Sequence, residues 1–156
     1  MHKYALNSLF TALLLTWGST FFAPSLHAET STRPDITGQW ITEDGKGVFN
    51  IHTCGDKVCG NLVGLNLTPE EEASGRRKTE CELQMLKGFH PMEDRRDHWK
   101  GHIFDPQSKN TYDAILWVAE DGTLKLHGFL GLELFGRTDT WQPFHGHIGN
   151  NCRITP

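Results

Sequence analysis

The residues with metal-ligand chemistry in this chain are histidines. Beyond the first 28 positions they are His52, His90, His98, His102, His127, His145 and His147. In an extended segment side chains repeat every second residue, so His98 and His102 share one face, as do His145 and His147. Paired imidazoles on a strand suit surface copper or zinc. Neither thiolate pairs at zinc spacing nor a His-Glu-x-x-His helix accompanies them, which favours solvated surface histidines and no bound metal. Ser74 and Ser108 lie in polar loop or turn sequence without a Gly-x-Ser-x-Gly elbow, and Ser31 sits in a polar leader, so no nucleophile is indicated. Asp105, Tyr112 and Asp139 fall near strand ends, where they would line the mouth of a site, although Asp105 before Pro106 also reads as a turn residue. No cofactor fingerprint is present, and nothing in the sequence marks the chain as an enzyme.

Four cysteines point to disulfide chemistry. Cys54 and Cys59 flank Gly55-Asp56-Lys57-Val58, a turn that would set them opposite each other at the end of a hairpin. Facing strand positions are separated by about 4.5 to 5.5 Å, within the range a bridge tolerates. By elimination Cys81 pairs with Cys152, tying the C-terminal tail to the middle of the chain. A four-thiolate metal site is disfavoured because the close cysteine pairs are missing, and there is no Cys-x-x-Cys redox pair.

The elements that carry these residues are mostly strands. Residues 122–141 organise the chain. Leu124, Leu126 and Leu130 alternate with Lys125, His127 and Phe129, and beyond Gly131 and Gly136 the residues Arg137, Asp139 and Trp141 share a face. Further strands are expected at 36–42, 47–54, 59–66, 99–105 and 111–118, joined by turns such as Glu43-Asp44-Gly45 and Glu120-Asp121-Gly122. Thr68-Pro69-Glu70-Glu71 opens a short helical turn that Gly75 can end. A second capping box, Thr79-x-x-Glu82, with Leu83 and Leu86 predicts an amphipathic helix that stops at Gly88, followed by a polar loop over 90–97. Seven strands are visible, and the tail would supply an eighth or a covering loop. A meander of short strands with one inserted helix predicts a closed antiparallel barrel of about eight strands, since closure removes exposed edges.

Lys3, the apolar run Leu9–Leu15 and the small residue Ala28 have the order of a secretory signal peptide over 1–28, too short for a membrane span. The remaining chain divides into a leader at 29–35, one barrel domain at 36–143 and a tail at 144–156. No cysteine lies near Ala28, so a lipid-modified N-terminal cysteine is not expected. The mature product is expected to be soluble and periplasmic or secreted. The 156-residue chain carries a formal net charge of -4, and its basic residues are scattered apart from Arg76-Arg77-Lys78. That pattern lacks the footprint of a nucleic-acid binder.

Gly38-Gln39-Trp40, Cys54 to Gly60, Ile103-Phe104-Asp105-Pro106, Thr111-Tyr112 and the run Leu134 to Trp141, with its Gly-Arg-Thr-x-x-Trp form, resemble an uncharacterised bacterial family, domain of unknown function 2147. The resemblance implies export and a lipocalin-like, or calycin-like, barrel, and it implies no activity. Gly38-x-Trp40 is similar to the Gly-x-Trp of lipocalins, whose indole closes one barrel end beneath an arginine from a late strand; Arg137 is the counterpart here. Such a stack contributes about 1 to 2 kcal/mol when desolvated.

The function these features imply is binding of a small apolar or amphipathic ligand inside the barrel, with Trp40, Phe49, Tyr112, Trp117, Phe129 and Arg137 as the candidate site residues. The same bulky side chains suffice to fill an eight-stranded interior. The competing reading is therefore an envelope interaction module with a solid core, and a third is a periplasmic metal carrier or small enzyme. An apolar cavity favours the first and an exposed apolar patch on a filled barrel the second.

Overall fold

A computed structural model of the protein describes residues 33–155. The expected signal peptide and all but the end of the leader lie outside the described residues. Eight strands follow one another as an antiparallel meander: β1 (Gly38–Ile41), β2 (Gly47–Cys54), β3 (Lys57–Leu65), β4 (Gln84–Pro91), β5 (His98–Asp105), β6 (Asn110–Val118), β7 (Leu124–Phe129) and β8 (Arg137–Pro143). Each pairs with its successor, and β1 pairs with β8 through Trp40 opposite Pro143, which closes the cylinder. Closure leaves no free edge around the barrel wall.

Alternation sets what lies inside. Ala114 and Leu116 on β6, Leu124 and Leu126 on β7 and Trp141 on β8 join the interior cluster with Ile36, Trp40, Ile51, Phe89 and others. The odd positions of β6 and β7 face the opposite way, which puts Trp117 and Phe129 on the outer wall. Phe49 and Trp141 stack within the barrel at a centroid distance of 4.6 Å. The Trp40 indole N–H donates to the Ile36 carbonyl at 3.0 Å, satisfying its one polar atom where it is buried.

The region between β3 and β4 departs from the expected helix. The capping box at Thr68 forms: its hydroxyl accepts from the Glu71 N–H, and the Glu71 carboxylate accepts from the Thr68 N–H at 2.8 Å. It starts α1 (Pro69–Ala73), and Gly75, with φ of 78°, begins α2 (Arg76–Glu80). Two short helices thus replace the single one, and residues 84–91 form a strand instead of a helix and the start of a polar loop. The cause is a bulge. Lys87 faces His102 while His90 faces Lys100, so β4 uses one residue more than its neighbour, and Gly88 there has φ of 65°. The extra residue spaces buried Leu86 and Phe89 three apart, the interval a helix would give.

The tail adds β9 (His147–Gly149) and β10 (Arg153–Thr155) beside the end of β3, outside the eight-strand cylinder, instead of an eighth barrel strand. Both expected disulfides are present, Cys54–Cys59 and Cys81–Cys152, each with Cα atoms 5.8 Å apart. No helix among the described residues is long and apolar enough to cross a membrane.

Candidate functional site

The interior is filled at one end and open at the other. Turns between β1 and β2 and between β5 and β6, together with α2, surround a cavity of about 260 Å³. Its floor is apolar, made by Phe49, Leu62, Leu65, Met85 and Ile103. Its rim is polar and carries Lys46, Arg76, Glu80, Asp105 and Tyr112. Gly47 also lines it; a Cβ there would stand 3.1 Å from the Leu62 side chain, so the glycine keeps that wall thin.

The rim charges are paired in sequence. Lys46 Nζ lies 3.2 Å from Glu71 Oε1, Arg76 Nη1 lies 2.9 Å from the same oxygen, and Arg76 Nε lies 2.8 Å from Glu80. Hydrogen bonding from the Thr68 N–H, followed by Lys46, holds the Glu71 carboxyl below its ordinary value. Glu80 is 3 % exposed. Burial pushes the Asp105 carboxyl up, but hydrogen bonds from Ser108 Oγ and from the Gln107 N–H outweigh it and hold it down. Asp44 behaves alike, with burial opposed by Thr42 Oγ1 and the Lys46 N–H. Both aspartates are thereby committed to their own turns.

Of the six residues proposed from sequence, Phe49 and Tyr112 line this cavity. Trp40 is buried opposite Phe49 in the register of β1 and β2, as packing. Trp117 is on the outer wall, stacked on His98 with centroids 4.9 Å apart, and Phe129 is beside His127 on the same wall. Neither fills the barrel. Arg137 does not cover Trp40: its side chain is 87 % exposed and its Nε donates to Asp139 at 3.1 Å. It borders a separate recess with Asp44, Asp139 and Trp141. The strand parity assigned to Arg137 holds, but at the rim the chain end faces water and its neighbouring carboxylate. Sequence reasoning missed Lys46, Arg76, Glu80 and Met85; the one advance signal was Arg76 and Glu80 four apart on a helix face.

The outer wall carries the second feature. The segment joining β7 to β8 turns back over β7 through a 3-10 turn at Glu133–Phe135. Arg95 holds Glu133 by two hydrogen bonds of 2.8 and 2.9 Å, and His127 Nε2 donates to the Glu133 carbonyl at 2.8 Å. That posture leaves Leu130, Leu132, Leu134 and Phe135 between 66 % and 85 % exposed.

The histidines do not converge. His98 Nδ1 is 2.9 Å from Asp97 and His102 Nε2 is 3.4 Å from Asp113. Among the described residues the one close grouping of three ligand-type side chains is Cys81, Glu82 and Cys152, whose two sulfurs are already bonded to each other.

These features define a closed up-and-down β-barrel with an apolar cavity at one mouth. The family model described as "Uncharacterized protein conserved in bacteria (DUF2147)" matches residues 38–143, and the chain belongs to that family. No curated protein and no solved structure matches it.

Proposed function

We propose that the protein is exported and holds a small, largely apolar molecule in the open half of its barrel. The observation that carries this reading is the 260 Å³ cavity with an apolar floor inside a barrel otherwise packed with side chains. With about 30 Å³ per water-sized group, the space suits roughly nine heavy atoms. That is below the ~300 Å³ at which drug-sized pockets begin, so the occupant is small. Export, with residues 1–28 removed and 29–35 left as a leader, is supported by the order of Lys3, Leu9–Leu15 and Ala28 and by two disulfides, which persist in oxidising compartments.

Calorimetric titration with octanol tests it. The wild type binds with a negative heat-capacity change, as burial of apolar surface requires, and Met85→Trp, which fills the floor, does not. Absence of octanol binding by the folded wild type contradicts the reading. A second role is favoured by the exposed Leu130, Leu132, Leu134 and Phe135, which form an apolar projection suited to an envelope partner. Deleting those side chains would then abolish an interaction without touching octanol binding.

A further inference from the structure

We propose that Glu80 selects, within this cavity, a ligand whose polar end donates hydrogen bonds, an amine or alcohol amphiphile, against one that ends in a carboxylate. The inference rests on the cavity being a ligand site and adds the chemistry of its head group. Glu80 is 3 % exposed and lines the cavity. Both its oxygens accept from one atom, Arg76 Nε, at 2.8 Å each. A carboxylate has about four acceptor positions. One shared N–H leaves most of that capacity unused, where burial makes an unmet acceptor costly.

The other rim charges sharpen the choice. Lys46 and Arg76 share Glu71, and Arg76 also pairs with Glu80, so the two glutamates balance the two cations and Asp44 and Asp105 leave the rim with surplus negative charge. Asp105 spends one oxygen on the Gln107 N–H and the other on Ser108 Oγ, while Asp44 takes both the Thr42 hydroxyl and the Lys46 N–H on Oδ1 and, being exposed, turns its other oxygen to solvent. Glu80 is the rim carboxylate that stays buried and under-used. An ammonium or hydroxyl group above the apolar floor would complete its hydrogen bonding. A carboxylate head would meet like charge from Glu80, Asp44 and Asp105 and find both cations engaged.

Titration of the purified full-length mature protein with octylamine, octanol and octanoate, followed by calorimetry at low and high salt, tests this. The expected order is octylamine, then octanol, then octanoate, with the amine about tenfold or more tighter than the carboxylate. Because a buried contact is little screened, most of that ratio persists at high salt. Glu80→Gln keeps an acceptor for Arg76 and is expected to lower the ratio about tenfold. Octanoate binding as tightly as octylamine overturns the proposal while leaving the cavity reading intact. So does a folded Glu80→Gln variant with an unchanged ratio. Should that variant not fold, the wild-type order and its salt response decide alone. Failure of all three probes, octanol included, removes the cavity reading and this proposal with it.

Discussion

Replacing Cys81 and Cys152 together by alanine should destabilise the protein about twice as much as replacing Cys54 and Cys59. The two bridges span equal Cα distances, 5.8 Å, so native geometry does not separate them. Their loops do, with sequence separations of 5 and 71. The chain-entropy relation gives about 2 kcal/mol for the short loop and about 4 kcal/mol for the long one. For a domain of this size about 4 °C of melting temperature accompanies each kcal/mol, so the expected losses are about 8 °C and about 16 °C. Part of the tail stays anchored without its bridge, because Arg77 Nη1 donates to the Asn151 and Cys152 carbonyls at 3.0 and 2.9 Å. Thermal unfolding of the two double variants by circular dichroism, without reductant, measures the difference. Urea titration adds a second mark, since releasing a long loop expands the unfolded chain and steepens the denaturant dependence. If the Cys54/Cys59 variant loses as much as the Cys81/Cys152 variant, the tail bridge is not the main covalent restraint on the unfolded chain.

Three further outcomes follow from the same geometry. Gly101→Ala would put a Cβ 2.7 Å from Phe89 Cγ and 2.8 Å from the Lys87 carbonyl oxygen, and should cost about 1 to 3 kcal/mol in thermal unfolding; an unchanged melting temperature would contradict that packing. Trp40→Phe leaves the Ile36 carbonyl without its indole donor and should cost about 1 to 3 kcal/mol, whereas Arg137→Ala should stay within about 0.5 kcal/mol; equal losses would restore a coupling between the two residues. Hydrogen bonding from Arg95, helped by its charge, outweighs the opposing effect of burial and holds the Glu133 carboxyl below its usual value. The stabilisation from this pair is complete above the ordinary glutamate pKa and is lost as pH falls through the lower folded value. Amide exchange at residues 130–136 should therefore rise on acidification beyond the intrinsic pH effect, and protection that is independent of pH would refute the role of the pair.

Most of the wall was legible because each strand has one wet and one dry face. Leu124, Leu126 and Trp141 had only one way to point once their alternation was read, and the turn between Cys54 and Cys59 required those two to meet. The misreading of β4 has a local cause. An extra residue at Gly88 changes the phase, so Leu86 and Phe89 imitate a helix stripe, and a backbone at positive φ leaves no trace in the hydrophobic pattern. The parity of Trp117 and Phe129 was readable too, but bulk suggested an interior place for them. The outer wall accepts bulk where another group covers it: His98 stacks on Trp117, and Phe129 is only 6 % exposed beside His127. The cavity was beyond reach because its rim joins Lys46, Arg76, Glu80 and Asp105 from three separate connections, and only closure brings these together.

Mass spectrometry under native conditions, on protein gently isolated from its own host, tests the ligand-carrying claim most directly. The account predicts a population heavier than the mature chain by the mass of one small molecule, lost when Met85→Trp fills the cavity floor. A bare chain mass in both proteins, or the same added mass surviving in Met85→Trp, would contradict it.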